Sequence, residues 1–176
     1  YKLRENATWV QADGTYYADV TAEDFVTAAK YILDAKNASS TANIFYSVIA
    51  GAEDYYLGTS TPEEGQEPYP VMDWETVGVK ALDDYTLQYT LDEACPYFLS
   101  MITYVCFMPV NADFLAEKGA DFGVATSNEN ILYNGAYILS TGVNLIQGIS
   151  ALAIIHRASA ALFMISLVVL FVHKLV

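Results

Sequence analysis

The chain has 176 residues, enough for one domain with a real core. It carries 21 Asp and Glu against 8 Lys and Arg, a formal net charge of −13. That balance argues against a nucleic-acid partner and against docking on anionic lipid, because both need clustered Lys and Arg. The apolar content of 54% and mean hydropathy of +0.26 are high for a soluble protein, and the excess is local. Residues 141–176 contain no Asp or Glu, and Arg157 and Lys174 are their only firm charges. All the acids lie in residues 1–140, so two different polymers meet near residue 141.

The chain opens on Tyr1-Lys2-Leu3-Arg4, without a starting Met or a basic signal-peptide region. Residues 1–9 read as a strand, and the expectation is a fragment at its N-terminus. Asp13-Gly14-Thr15 is a turn signal. Thr21 then reads as the residue capping a helix, with Asp24 three residues on completing a capping box. Glu23 and Asp24 place negative charge at the positive end of the helix dipole. Phe25, Ala28, Ala29, Ile32 and Leu33 recur at three- and four-residue spacing and predict one apolar face of a helix over 21–36.

A second helix is predicted over 41–52, packing through Ile44, Phe45, Val48 and Ile49. Residues 54–73 read as a loop, rich in Pro and Gly and holding Glu63, Glu64 and Glu67. The loop lacks the alternating oxygen ligands and placed Gly of a Ca²⁺ loop, so it reads as solvated. Strands are predicted over 77–82 and 85–91 around a turn at Asp83-Asp84, since Tyr85, Leu87, Tyr89 and Leu91 alternate with polar residues. Pro96 opens a predicted helix through Val105. A helix of that length holds Cys95 and Cys106 about 16 Å apart, too far for a disulfide. A short helix over 112–118 ends at Gly119, and residues 135–139 read as a strand.

Both histidines, His156 and His173, lie in the hydrophobic tail. Residues 1–140 therefore hold no Ser–His or Cys–His pair and none of the usual zinc sets. No Gly-rich phosphate-cradling loop is present. The reading is non-enzymatic, with no catalytic residue, metal ligand or cofactor assigned. The tail has an uncharged stretch at 158–172, short of the roughly 20 residues needed to span hydrocarbon. Extension to about 150–172 gives the length and predicts a transmembrane helix, and a buried core helix is the other reading. A frameshift or chimeric assembly is the alternative origin of the whole tail.

The motif order then carries a resemblance. Leu3-Arg4-Glu5-Asn6-Ala7-Thr8-Trp9, Asp13-Gly14-Thr15, Val20-Thr21-Ala22-Glu23-Asp24-Phe25-Val26 and Val77-Gly78-Val79-Lys80-Ala81-Leu82-Asp83-Asp84-Tyr85-Thr86-Leu87 come first. Pro96-Tyr97-Phe98-Leu99, Pro109-Val110-Asn111 and Asn134-Gly135-Ala136-Tyr137 follow in the same order. The series resembles the oligopeptide-binding type of extracellular solute-binding protein (family 5), which feeds peptide ABC transporters.

The resemblance implies an α/β, periplasmic-binding-protein-like (Venus-flytrap) fold. Residues 1–140 resemble mainly its small extra lobe, with the hydrophobic helix C-terminal to it. It implies the substrate-binding component of an ABC-type oligopeptide importer, working in the periplasm or at the cell surface. The implied partners are an oligopeptide, ABC permease subunits and the membrane, reached through a lost N-terminal lipid or the C-terminal helix. A Ser-Pro-Tyr-Ala segment of the family, whose Tyr faces the ligand, falls on Ser39-Ser40-Thr41-Ala42, which makes Thr41 the implied ligand-binding position. A helix-start Thr is the other reading of that residue. The rival function is a membrane-anchored acidic interaction module without a ligand of its own. A weaker one is a family relative taking nickel, haem or a glycan.

Overall fold

The computed structural model describes residues 1–139. The expected helix at about 150–172, and the 141–176 segment that contains it, lie outside the described residues. Among the described residues, no helix is long and apolar enough to cross a membrane.

Strand β1 (Thr8–Val10) pairs antiparallel with β2 (Tyr16–Asp19) across the Asp13-Gly14 turn. Residues 1–9 are thus strand only at their end, and Lys2 instead makes a single antiparallel bridge to Thr86. Helix α1 runs Ala22–Leu33 and ends three residues earlier than predicted. It stops because Asp34 turns extended and its carboxylate accepts from Lys36 N–H at 3.1 Å, starting a separate 3₁₀ turn over Ala35–Asn37. The buried face of α1 centres on Ala22, Val26, Ala29 and Leu33, while Phe25 and Ile32 sit half-buried at its margin.

The predicted helix over 41–52 is two elements. Helix α2 (Ala42–Tyr46) ends early, and α3 (Ala52–Thr59) starts after Gly51. Gly51 has φ +68°, and a Cβ there would stand 2.5 Å from the Thr76 carbonyl oxygen, so only glycine makes this corner. Helix α3 also takes the first residues of the predicted loop, which leaves an exposed irregular stretch beyond Thr59.

Strands β3 (Val79–Asp83) and β4 (Thr86–Tyr89) form the expected hairpin, with a register shift between Ala81 and Asp83. Val79 and Leu87 turn inward while Lys80 and Gln88 face solvent. The predicted helix after Pro96 is one turn, α4 (Phe98–Met101), followed by a 3₁₀ turn over Val105–Phe107. The break turns Cys106 and Phe107 into the core. Both cysteines are free thiols, with Cys106 buried and Cys95 half-buried beside the Met101 sulfur at 3.9 Å. Helix α5 (Ala112–Lys118) has the predicted bounds, capped by Asn111, whose Oδ1 accepts from Phe114 N–H at 3.0 Å. Residues 135–139 are not a strand. The return pairing falls earlier, at Tyr133, whose N–H and C=O both bond Val10 at 2.9 and 2.8 Å.

One core joins these pieces. Leu33 of α1, Phe45 of α2, Ile49, Val77, Val79 of β3 and Leu87 of β4 are each at most 2% exposed. Phe45 stacks on Phe107 with ring centroids 4.7 Å apart, and Phe98 and Tyr89 meet the Phe107 ring edge-on at 5.8 and 5.9 Å. Burial, with smaller contributions from the Tyr1 and Cys106 charges, pushes the Tyr89 phenol far above its ordinary range. A raised folded pKa means stability is intact below the unfolded value of about 10 and falls as pH climbs past it. Tyr89→Phe keeps the ring and removes the titration. Its urea midpoint should match the parent at neutral pH and fall less steeply above about pH 10. Parallel alkaline limbs would place the titrating group elsewhere.

Candidate functional site

Thr41 stands immediately before α2, in a turn built by short-range bonds. Asp34 opens the turn, Asn37 Nδ2 donates to the Tyr31 carbonyl at 2.8 Å, and Ala38 takes a left-handed φ of 48°. Ala38 is the only described non-glycine residue with positive φ, a conformation that costs on the order of 1 kcal/mol for an L side chain. The strain sits one residue before Ser39, whose Oγ lies 3.3 Å from Thr41 Oγ1 and accepts from Thr41 N–H at 3.4 Å.

The two hydroxyls therefore face each other, and the Thr41 hydroxyl makes no capping bond to α2. Thr41 is half-buried and Ser40 exposed. The Thr59 hydroxyl holds the turn from behind. It accepts from Ala35 N–H at 2.9 Å and reaches the carbonyls of Leu33 at 3.1 Å and Tyr56 at 2.8 Å. A pair of neutral hydroxyls on a braced turn can donate to, or accept from, a peptide amide. Among the described residues neither hydroxyl is bonded to a base that would activate it as a nucleophile.

A second polar assembly lies at the other end of α1. Asp24, only 5% exposed, accepts from the Trp9 indole N–H at 2.9 Å, from Thr21 N–H at 2.9 Å and from Asn111 Nδ2 at 3.5 Å. The Asp24 carbonyl also accepts from Val110 N–H at 2.9 Å. The expected capping bond from Asp24 back to Thr21 is present, and the same carboxylate ties β1 and the start of α5 to α1. Burial raises its pKa above the ordinary carboxylate value, opposed by the bonds from Trp9, Thr21 and Asn111. All its bonds are internal, so Asp24 holds elements together and offers nothing to a ligand.

Two of the surface depressions among the described residues differ sharply in character. One, of about 170 Å³, is polar and includes Gln11, Asp13, Tyr17, Glu117 and Glu129. The other, of about 290 Å³, is mostly apolar and includes Leu3, Arg4, Phe25, Phe107, Met108 and Asn134. Thr41 belongs to neither. Among the described residues no three His, Cys, Asp or Glu side chains come together as a metal site. The Trp9–Asp24–Asn111 contact and the Thr59 brace were not foreseen from sequence, because each joins residues 15 to 87 positions apart with no local signature.

Residues 1–144 match the family described as bacterial extracellular solute-binding proteins, family 5 Middle. The chain belongs to that family. Over 139 residues it is 42% identical to the oligopeptide-binding protein AmiA of Streptococcus pneumoniae, a match covering 79% of this chain and 19% of that one. A periplasmic oligopeptide-binding protein of Borrelia burgdorferi superposes with a TM-score of 0.64 at 32% identity, over 81% of this chain and 25% of that one. Listeria monocytogenes OppA, solved bound to peptide, superposes with a TM-score of 0.59 at 33% identity, over 78% of this chain and 23% of that one. The described residues are thus an α/β portion of a periplasmic oligopeptide-binding fold, and the chain spans about a fifth of the length of AmiA.

Proposed function

We propose that this chain is a portion of the substrate-binding component of an ABC-type oligopeptide importer, a non-enzymatic protein that captures peptides outside the cytoplasmic membrane. The observation that carries the reading is the match over residues 1–144 to the solute-binding family, with a peptide-bound relative among the structures that superpose on it. On this reading residues 1–140 are mainly the small extra lobe of a two-lobed protein that closes on an extended peptide. Residues 141–176 are a separate hydrophobic segment, a membrane helix at about 150–172 or a product of assembly. In support of that boundary, the family match ends at residue 144. The partners are an oligopeptide, the permease subunits and the membrane. The oligopeptide-binding relatives support the importer over the rival anchored module without a ligand.

Thr41 is the proposed ligand-facing position, supported by its hydroxyl being unused by α2. The test is calorimetric titration of the full-length parent protein with a pool of short peptides. Saturable binding is the expected result. The 176-residue chain alone should bind none of them or bind weakly. Thr41→Ala in the parent should weaken binding by about tenfold, the worth of one hydrogen bond. Thr41→Tyr, which restores the family residue, should bind at least as well as the unaltered parent. Absence of peptide binding by the folded parent, or peptide hydrolysis by it, would overturn the assignment.

A further inference from the structure

The sequence contains one Asn-Gly pair, Asn134-Gly135, and the peptide-binding reading does not use its chemistry. We infer that Asn134 is a site of spontaneous deamidation, which converts a neutral amide at the rim of the apolar groove into a carboxylate. Three observations carry the inference. Asn134 and Gly135 are both exposed. A Cβ built on Gly135 meets nothing within 4 Å, so no neighbouring atom crowds that side of the Gly135 backbone. Among the described residues, no carbonyl accepts the Gly135 N–H and no group pairs with the Asn134 amide.

The other described asparagines differ. Asn37, Asn111, Asn128 and Asn130 hold their side chains in hydrogen bonds to Tyr31, Asp24 with Phe114, Leu139 and Val124. Asn6 precedes Ala7 and Asn43 precedes Ile44, whose side chains crowd the attacking nitrogen. Asp13-Gly14 would form the same ring. Its carboxylate is engaged by Thr15 N–H and Oγ1 at 2.9 and 2.7 Å, and those bonds hold its pKa below the usual range. An ionised carboxylate is a poor electrophile.

The reaction needs only solvent water. The Gly135 backbone nitrogen attacks Asn134 Cγ. A C–N bond forms, the Cγ–Nδ2 bond breaks, and ammonia leaves carrying the Gly135 amide proton. Water then opens the five-membered imide at either carbonyl and gives aspartate or isoaspartate. Either product puts a negative charge one residue beyond the Tyr133–Val10 pairing, in a groove whose other polar residue is Arg4.

The test uses the full 176-residue chain, aged at neutral and mildly alkaline pH and sampled by peptide mass mapping. Isoaspartate is read by methyl transfer from labelled S-adenosylmethionine with an isoaspartyl methyltransferase. Conversion at Asn134 should outpace that at Asn6 several-fold and rise with pH. It should run nearly as fast in the folded chain as in denaturant. Gly135 is outside the left-handed region and its Cβ direction is open, so Gly135→Ala can fold, and it should lose most of the signal. Equal rates at Asn6 and Asn134, or strong protection of Asn134 by the fold, would overturn the inference.

Discussion

Phe45→Ala should cost about 4 kcal/mol of unfolding free energy, the upper part of the range for emptying a core aromatic position. Phe45 is 1% exposed and stacks on Phe107, which in turn receives Phe98 and Tyr89 edge-on. Removing it takes away burial and an aromatic pair, and it leaves a void that rigid rings cannot fill. For a domain of this size the total is on the order of 5–15 kcal/mol, so the variant would be near its folding limit. Urea unfolding followed by far-ultraviolet circular dichroism reads the loss as a lower midpoint at constant slope. Phe45→Leu, which refills most of the volume, should recover more than half of it. A loss below about 1 kcal/mol for the alanine variant would mean the four rings do not form one packed unit.

Asp24→Ala should cost about 3 kcal/mol. The Trp9 indole N–H and the Thr21 N–H would lose their acceptor where water does not replace it, and each unsatisfied buried donor costs about 1–3 kcal/mol. The effect has a pH signature. Desolvation is the largest influence on Asp24 and sets its folded pKa above the unfolded value of about 3.9. Folding then binds protons at this residue, so its contribution is complete below the unfolded pKa and diminishes as pH rises through the folded one. The stability gap between parent and Asp24→Ala should narrow from acid to neutral pH, with Trp9 fluorescence as the probe. A gap that widens would mean the hydrogen bonds outweigh the desolvation.

These two residues also mark what the sequence could tell. The cap at Thr21 and Asp24, the alternation along β4 and the Asn111-to-Gly119 span of α5 are local patterns, and each reappears in the fold. The breaks within longer apolar stretches do not. Composition over 96–105 is as good for a helix as for a turn, and the decision falls to Cys106 and Phe107 seeking the core. Composition over 41–52 hides the corner that Gly51 makes. Asp24 was legible as a cap and illegible as a buried junction, because Trp9 and Asn111 reach it only after folding. Thr41 stands where the helix-start reading put it, and the ligand role proposed for it rests on family resemblance, since nothing in Ser-Ser-Thr-Ala encodes a pocket.

Two hydrogen bonds between Val10 and Tyr133 bring the chain back on itself. The chain departs at one residue and comes back beside it 123 positions later, having built α1 to α5 and most of the core in between. The excursion stays tied to the stem it leaves, because β1 pairs with β2, the Trp9 indole bonds Asp24 and Leu3 N–H bonds the Tyr85 carbonyl. A graft that opened only the Val10–Tyr133 crossing would strip residues 1–10 from their partners, so the unit that travels between proteins has to carry residues 1–133 together.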